Sequence, residues 1–327
     1  MITAYAVTEG RIEPIGGGDA IVAGDIDRIA WIDLIEPTAE EDGLIERLLG
    51  VDIPNREDME EIEVSSRLYS ENGAVFMTVL LPANTETDRH AIKPVAFILS
   101  GSRLVTVRYH QPRAFDTFAA RAQKTDLGCM SGITTLMALL DAVIDRIADI
   151  LERAGHDVEA ISREVFAEQT TKLRRSKDFH AILRGIGRKA DLVSGIRDSL
   201  ATLQRMLGFL GHVTARDKID KDARAVTKTL MRDTTSLIDH AQFLSQKITF
   251  LLDATLGMIS IEQNGIIKIF SVAAVIFLPP TLVASIYGMN FEHMPELQWL
   301  LGYPFAIGLM VVSAIVPYLF FKNRGWL

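Results

Sequence analysis

The chain has 327 residues, a formal net charge of −8, 48% hydrophobic residues and one cysteine, Cys129. The acidic balance argues against nucleic acid as a partner, because phosphate backbones are bound mainly by clustered cations. A single cysteine excludes an intramolecular disulfide and a cysteine-based metal cluster, and Cys129 is read as a small buried side chain.

The first part of the chain alternates short strands and helices. Ile2 to Val7 and Arg28 to Ile32 read as strands. Thr38, three residues before Glu41, forms a capping box for a helix that carries Leu44, Ile45, Leu48 and Leu49. Glu57 to Ile62 reads as a further helical turn. Val75 to Leu81, Pro94 to Leu99 and Arg103 to Arg108 have strand composition, with Gly101-Ser102 as a tight turn between the last two. No GxGxxG, phosphate loop, HExxH or CxxC occurs. His90, His110 and His180 have no catalytic spacing and are read as structural or exposed, so no enzyme activity is expected.

From about Arg113 the pattern becomes helical, and proline is absent from Arg113 to Leu278. Ser131 to Lys177 reads as nearly continuous helix, with Ile133, Leu136, Leu140, Ile144, Ile147 and Leu151 on one face. Gly208 and Gly211 are expected to mark the turn into a last helix. That helix runs from Asp217 to Tyr287, about 70 residues or roughly 105 Å. Such a length implies a coiled coil, a membrane span or both.

Two stretches carry no charge, Ile269 to Phe291 and Leu300 to Phe321. As helix each is about 33 Å long, enough to cross a bilayer core. The N-terminus, MITAYAVTEG, lacks the features of a signal peptide. Lys268 precedes the first span and Lys322 and Arg324 follow the second, whereas the loop between them has Glu292, His293 and Glu296. Both termini are therefore expected in the cytoplasm and the loop outside. The implied organisation is an α/β domain over 1–125, a helical region and stalk over 126–265, a span over 266–288, a loop over 289–298, a second span over 299–321 and a tail over 322–327.

Steps of seven, four and three along the last helix place Asp253, Ser260, Asn264, Ile267, Ser271, Ala274, Leu278, Thr281 and Ser285 on one face. Bulkier residues such as Phe270, Val275 and Phe277 flank them. A small and polar stripe on an apolar helix can line a water-filled pore between several copies, or it can let helices pack closely. Rings of Asp253 carboxylates and Asn264 amides would guide a cation, and rings of Ile267 and Leu278 could gate by dewetting. One copy with two spans cannot enclose a pore, so this use requires an oligomer. Pro279-Pro280 interrupts the helical ladder. Beyond it, Gly288 lets the chain turn, and Asn290 offers a hard neutral oxygen. Magnesium dehydrates reluctantly, and a ring of amides can hydrogen-bond to its waters without stripping them. Glu292 and Glu296 would concentrate cations at the mouth. His293 alone is weak support for a softer metal.

Tyr287-Gly288-Met289-Asn290, between two spans at the end of the chain, resembles the signature of the CorA magnesium transporters. The similarity continues through Phe291, Met294-Pro295-Glu296-Leu297, Gly302-Tyr303-Pro304 and Gly325-Trp326-Leu327. Ile261-Glu262-Gln263-Asn264, Phe277-Leu278-Pro279-Pro280-Thr281, Trp31-Ile32-Asp33-Leu34 and the acidic stretch Glu57 to Glu63 resemble the enterobacterial type of that family. The resemblance implies a homopentameric, funnel-shaped channel in the bacterial inner membrane, with Mg2+ as the transported and regulatory ion and no other cofactor. It implies an outer selectivity ring of Asn290 shaped by Gly288 and Met289, a polar ring at Asn264, constrictions at Ile267 and Leu278, and an acidic ring at Asp253. Cytoplasmic magnesium sites are also implied. Asp58, Glu60, Glu61 and Glu63 are the best acidic cluster for them, although a solvated helix face is the favoured reading of the same residues. The ZntB zinc transporters share the architecture, but their loop departs from the Met-Asn-Phe and Met-Pro-Glu-Leu pattern kept here. A zinc, cobalt or nickel transporter and a membrane-anchored coiled-coil scaffold or sensor are the competing readings.

Overall fold

The longest strands, β5 (Ala74–Ala83) and β6 (Ala91–Ser100), pair with each other in a seven-stranded sheet whose central strand is β7 (Arg103–Arg108). The computed structural model describes residues 1–8, 11–17, 26–61, 63–87, 90–167, 178–216, 221–290 and 294–325; of these, 26, 64–65, 215–216, 221–222 and 296–297 are described by backbone alone. The sheet also contains β1 (Ile2–Thr8), β2 (Arg11–Gly16), β3 (Ile29–Ile35) and β4 (Leu68–Glu71). Its order is β2-β1-β3-β7-β6-β5-β4. Every pairing is antiparallel except β3 with β7, where Asp33 lies opposite Thr106 and Ile35 opposite Arg108. The turn at Gly101-Ser102 is as expected: Ser100 pairs with Arg103, and Gly101 takes φ 57°, which a residue without a Cβ adopts at little cost.

Alternation along the strands gives the sheet two buried faces. On one, Ile32 and Leu34 of β3 and Val105 and Val107 of β7 pack with Ile45 of α1 (Ala39–Leu49) and Met59 of α2 (Arg56–Glu60). Helix α1 begins with the expected capping box, in which Thr38 Oγ1 accepts from Glu41 N and Glu41 Oε2 accepts from Thr38 N. A four-residue helix, α3 (Val64–Arg67), leads into β4. On the other face, Trp31 and Phe97 pack with Phe115 and Phe118 of α4 (Arg113–Ala122), and all four are fully buried.

That second face holds a buried polar chain. Trp31 Nε1 donates to Thr106 Oγ1 at 2.9 Å, Thr106 donates to Asp33 at 2.7 Å, and Arg108 bonds both oxygens of Asp33. Arg108 also lies 4.8 Å from the Phe115 ring centroid. Beside it, Tyr5 stacks on Trp31 at 4.4 Å; burial, first, and then the Asp33 charge push its phenol up to about 12. His110, read from sequence as structural or exposed, is buried, with Nε2 2.9 Å from Leu81 O.

Two long helices follow, α5 (Gly132–Phe166) and α6 (Phe179–Arg216). The expected helix from Ser131 stops at Phe166, because Ala167 has an extended backbone (φ −57°, ψ 125°); the remaining expected residues, 168–177, lie outside those described. Gly208 and Gly211 do not mark a turn: both lie inside α6. A glycine costs a helix about 1 kcal/mol relative to alanine, which tertiary packing readily offsets. At Gly208 an added Cβ would meet Met231 Cε at 3.7 Å, an ordinary contact, so the packing there does not itself require glycine. The last long helix, α7, is described from Lys221 to Tyr287, about 100 Å of helix; its expected start at Asp217 lies outside the described residues. α6 also shields the sheet: β4 covers only Ala74 to Met77 of β5, and beyond it Thr202 Oγ1 accepts from Leu80 N at 3.0 Å while Ser199 Oγ donates to Leu80 O at 2.5 Å.

The chain divides into two units, Met1–Leu252 and Asp253–Leu327. The first contains the sheet and the helices packed on it. The second contains the remainder of α7, a 3-10 turn at Pro295–Gln298 and α8 (Gly302–Asn323). Its two helices are long and apolar enough to cross a membrane.

Candidate functional site

The candidate site lies in the second unit. Asp253, Ser260, Asn264, Ile267, Ser271, Ala274, Leu278, Thr281 and Ser285 all fall on α7, and all are exposed in the protomer. At about 100° per residue they occupy an arc of roughly 100°. The covered side of the helix is elsewhere. Val272 is 3% exposed, and Lys268, Ile276, Pro279 and Val283 are partly covered. This row is centred roughly 130° around the helix from the stripe. Lys268 Nζ donates to Gly325 O at 3.3 Å, which brings the end of α8 back to the foot of the apolar part of α7. Hence the stripe stays open while the opposite side of α7 is covered.

The open face mixes polar and apolar residues. Ile267 is 62% exposed and Leu278 65% exposed. Flanking Phe270 and Phe277 are exposed to about the same degree. A soluble monomer rarely leaves so much contiguous apolar surface uncovered, so lipid, further copies of the chain or both must cover it. Pro279 and Pro280 lie within α7 and remove the amides that would bond Val275 O and Ile276 O. Thr281 Oγ1 then donates to Phe277 O at 2.7 Å, adding a local bond in the same turn.

The helix closes at the sequence motif. Gly288 N donates to Ala284 O at 3.0 Å and Met289 N to Ile286 O at 3.3 Å, so the last turn tightens. A Cβ on Gly288 would stand 3.1 Å from Ala284 O, which favours the smallest residue there. Met289 and Asn290 follow, both exposed. Of the two expected mouth acids, Glu292 lies outside the described residues, and Glu296 is placed by backbone alone in the 3-10 turn. Trp299 meets Phe305 edge to face at 6.5 Å at the start of α8.

The acids of the first unit are arranged differently from what their spacing alone conveys. Asp58 Oδ2 accepts from Asn55 N at 3.0 Å and completes a capping box for α2. Glu60 pairs with Arg56 at 3.1 Å, and Glu61 lends its backbone oxygen to Arg67. Glu60, Glu61 and Glu63 line an open groove together with Glu57. Among the described residues no three carboxylate, histidine or cysteine side chains converge to hold a metal ion. Sequence reading passed over another charged cluster, in which Glu86 takes three arginines from α4 and α5; no local pattern signals it, since its members are far apart in the chain.

Comparison with known proteins accords with this arrangement. The family model described as "CorA-like Mg2+ transporter protein" matches residues 27–323. The chain belongs to that family. It is 34% identical over 327 residues to the magnesium transport protein CorA of Haemophilus influenzae and 36% identical to that of Pasteurella multocida, covering 100% of both chains in each case. Among solved structures, the complete CorA magnesium transporter of Methanocaldococcus jannaschii matches with a TM-score of 0.71 at 19% identity, over 100% of this chain and 99% of that one. The CorA architecture, an α/β domain followed by long helices and two apolar C-terminal helices, is thus the architecture of this chain.

Proposed function

We propose that this chain is one subunit of a homopentameric channel that admits Mg2+ across the bacterial inner membrane, with both termini cytoplasmic. The observation that carries the proposal is the polar and small stripe on the open face of α7, which ends at Gly288-Met289-Asn290 in a chain of the CorA family. Around a fivefold axis the stripe becomes a set of rings. Asn290, positioned by Gly288 and Met289, binds the waters of the incoming ion. Glu292 and Glu296 concentrate cations outside that ring. Ser285, Thr281, Ala274 and Ser271 line the path, Leu278 and Ile267 constrict it, and Asn264, Ser260 and Asp253 receive the ion on the inner side. The membrane segments are 266–288 and 299–321, joined by 289–298. The same ring of neutral amides would pass cobalt and nickel, hydrated ions of the same charge. Asp58, Glu60, Glu61 and Glu63 are the proposed acids that sense cytoplasmic Mg2+, the last three sharing a groove with Glu57. Glu60 would exchange its Arg56 partner for the ion or its waters. No residue is assigned a catalytic role.

The test is flux into liposomes that contain purified protein and little internal Mg2+. Entry of Mg2+ is expected, with zinc excluded. Absence of flux under these conditions would sink the channel reading, and zinc entry without magnesium entry would replace it with the competing transporter.

A further inference from the structure

The cluster around Glu86 lies on the first unit, in two adjoining clefts between the loop after β5 and helices α4, α5 and α6. Three guanidiniums converge on Glu86 Oε1: Arg113 of α4, Arg146 of α5 at 3.0 Å and Arg153 of α5 at 3.6 Å. Arg188 and Lys189 of α6 line the same space, with Lys189 paired to Asp157 at 2.5 Å. Asp116 lies at the other end, and Asp149 reaches Arg146 at only 3.9 Å. Among the described residues, the clefts are thus lined by five cations and by Glu86, Asp157 and Asp116, on a protein whose formal charge is −8.

One carboxylate cannot satisfy three guanidiniums, each of which carries five N–H donors in a planar fork. The Arg146 hydrogen bond and the charges of Arg113, Arg146 and Arg153 hold the Glu86 carboxyl below the usual carboxylate range. Glu86 is 48% exposed and Arg113 and Arg153 similarly so, which leaves these pairs individually weak and exchangeable. Arginine forks match phosphate oxygens in pairs. Arg113 and Arg146 line one cleft and Arg153, Arg188 and Lys189 the adjoining one, so linked phosphates reach cations of both where a single phosphate reaches those of one.

We propose that this cleft binds the phosphate chain of a soluble oligophosphate, pyrophosphate or a nucleoside di- or triphosphate, with Glu86 as the built-in counter-ion that the phosphates displace. The proposal is independent of the pore stripe and of the Asp58 to Glu63 acids. Calorimetric titration of the full-length protein in detergent, without divalent cations, tests it with pyrophosphate, ATP and orthophosphate as probes. Saturable binding of pyrophosphate and of ATP is expected, with orthophosphate at least about tenfold weaker. Arg153→Gln, an exposed change unlike the half-buried Arg146→Gln, should weaken pyrophosphate about tenfold, and Lys228→Gln, outside the cleft, should leave it within about twofold. Glu86→Gln should tighten it, the opposite of what loss of a structural ion pair would do. Absence of saturable pyrophosphate binding, ATP binding without pyrophosphate binding, or a Glu86→Gln variant that binds no more tightly would each overturn the proposal.

Discussion

His110 makes the first unit sensitive to acid, and the effect can be worked out from its surroundings. The ring is buried, with Nε2 held by Leu81 O at 2.9 Å, while Nδ1 has no hydrogen-bond partner among the described residues. Burial, first, and then the nearby charges of Lys93 and Arg108 push its pKa down to about 4; the hydrogen bond to Leu81 only partly opposes them. An unfolded histidine titrates near 6.5. Above that pH both states are neutral at this position and the full stability is present. As pH falls below it the unfolded chain takes up a proton that the folded chain refuses, so stability drops by about 1.4 kcal/mol per pH unit until the folded form protonates near pH 4. Between about pH 6.5 and pH 5 the loss is roughly 2 kcal/mol, and over the whole window about 3 kcal/mol. In a unit of this size 2 kcal/mol corresponds to about 4–8 °C in melting temperature. The assay is thermal unfolding of the full chain in detergent, followed by tryptophan fluorescence in a Trp299→Phe, Trp326→Phe background, where the signal reports the burial of Trp31. His110→Gln retains an amide that can donate to Leu81 O but does not titrate. The wild-type melting temperature should fall by about 4–8 °C more than that of His110→Gln between about pH 7 and pH 5. Equal pH dependence in the two proteins would refute the reasoning, as would a directly measured His110 pKa near 6.5.

Arg108→Met should cost the first unit about 3–5 kcal/mol, because it leaves Asp33, whose side chain is 3% exposed, as an unpaired buried charge; chemical denaturation measures this. Gly132→Ala should lower the melting temperature, since its Cβ would stand 2.3 Å from Arg103 C where Gly132 N already bonds Ser102 O at 2.6 Å; a loss of at least about 1–3 kcal/mol is expected. In a Cys129→Ala background, Ser271→Cys and Thr281→Cys should react with a water-soluble thiol reagent at least about tenfold faster than Val272→Cys, because a hydrated pore would reach the stripe and not the covered row.

The features carried by periodicity were legible in the sequence. The stripe from Asp253 to Ser285 could be read because helical spacing alone determines which residues share a face. The central strands and the capping box at Thr38 could be read for the same local reason. Edge strands could not: β2 is RIEPIG, with Ile12 its one buried residue, and β4 is the four residues LYSE. Neither has the alternation of a half-buried strand, and both form because a neighbour offers a ladder. Glycine misled at Gly208 and Gly211, because a propensity of about 1 kcal/mol each is small enough for the packing of the rest of the helix to outweigh. The Asp33–Arg108 pair and the arginines around Glu86 were beyond reach. Asp33 meets Arg108 only through the parallel pairing of β3 with β7, and Glu86 meets Arg146 only when α5 crosses the loop after β5. The acidic run from Glu57 to Glu63 was visible, but its division was not: Asp58 turns back to cap α2, while Glu57, Glu60, Glu61 and Glu63 share a groove.

The central claim is that Asn290, at the end of the α7 stripe, selects a hydrated magnesium ion. The measurement closest to it is Mg2+, Zn2+ and Co2+ uptake by liposomes carrying wild-type protein or Asn290→Ala, matched for protein content and folded fraction. Wild-type protein should admit Mg2+ and exclude Zn2+, while Asn290→Ala should lose Mg2+ entry or admit the three ions without distinction. Wild-type rates and selectivity in Asn290→Ala would contradict the account.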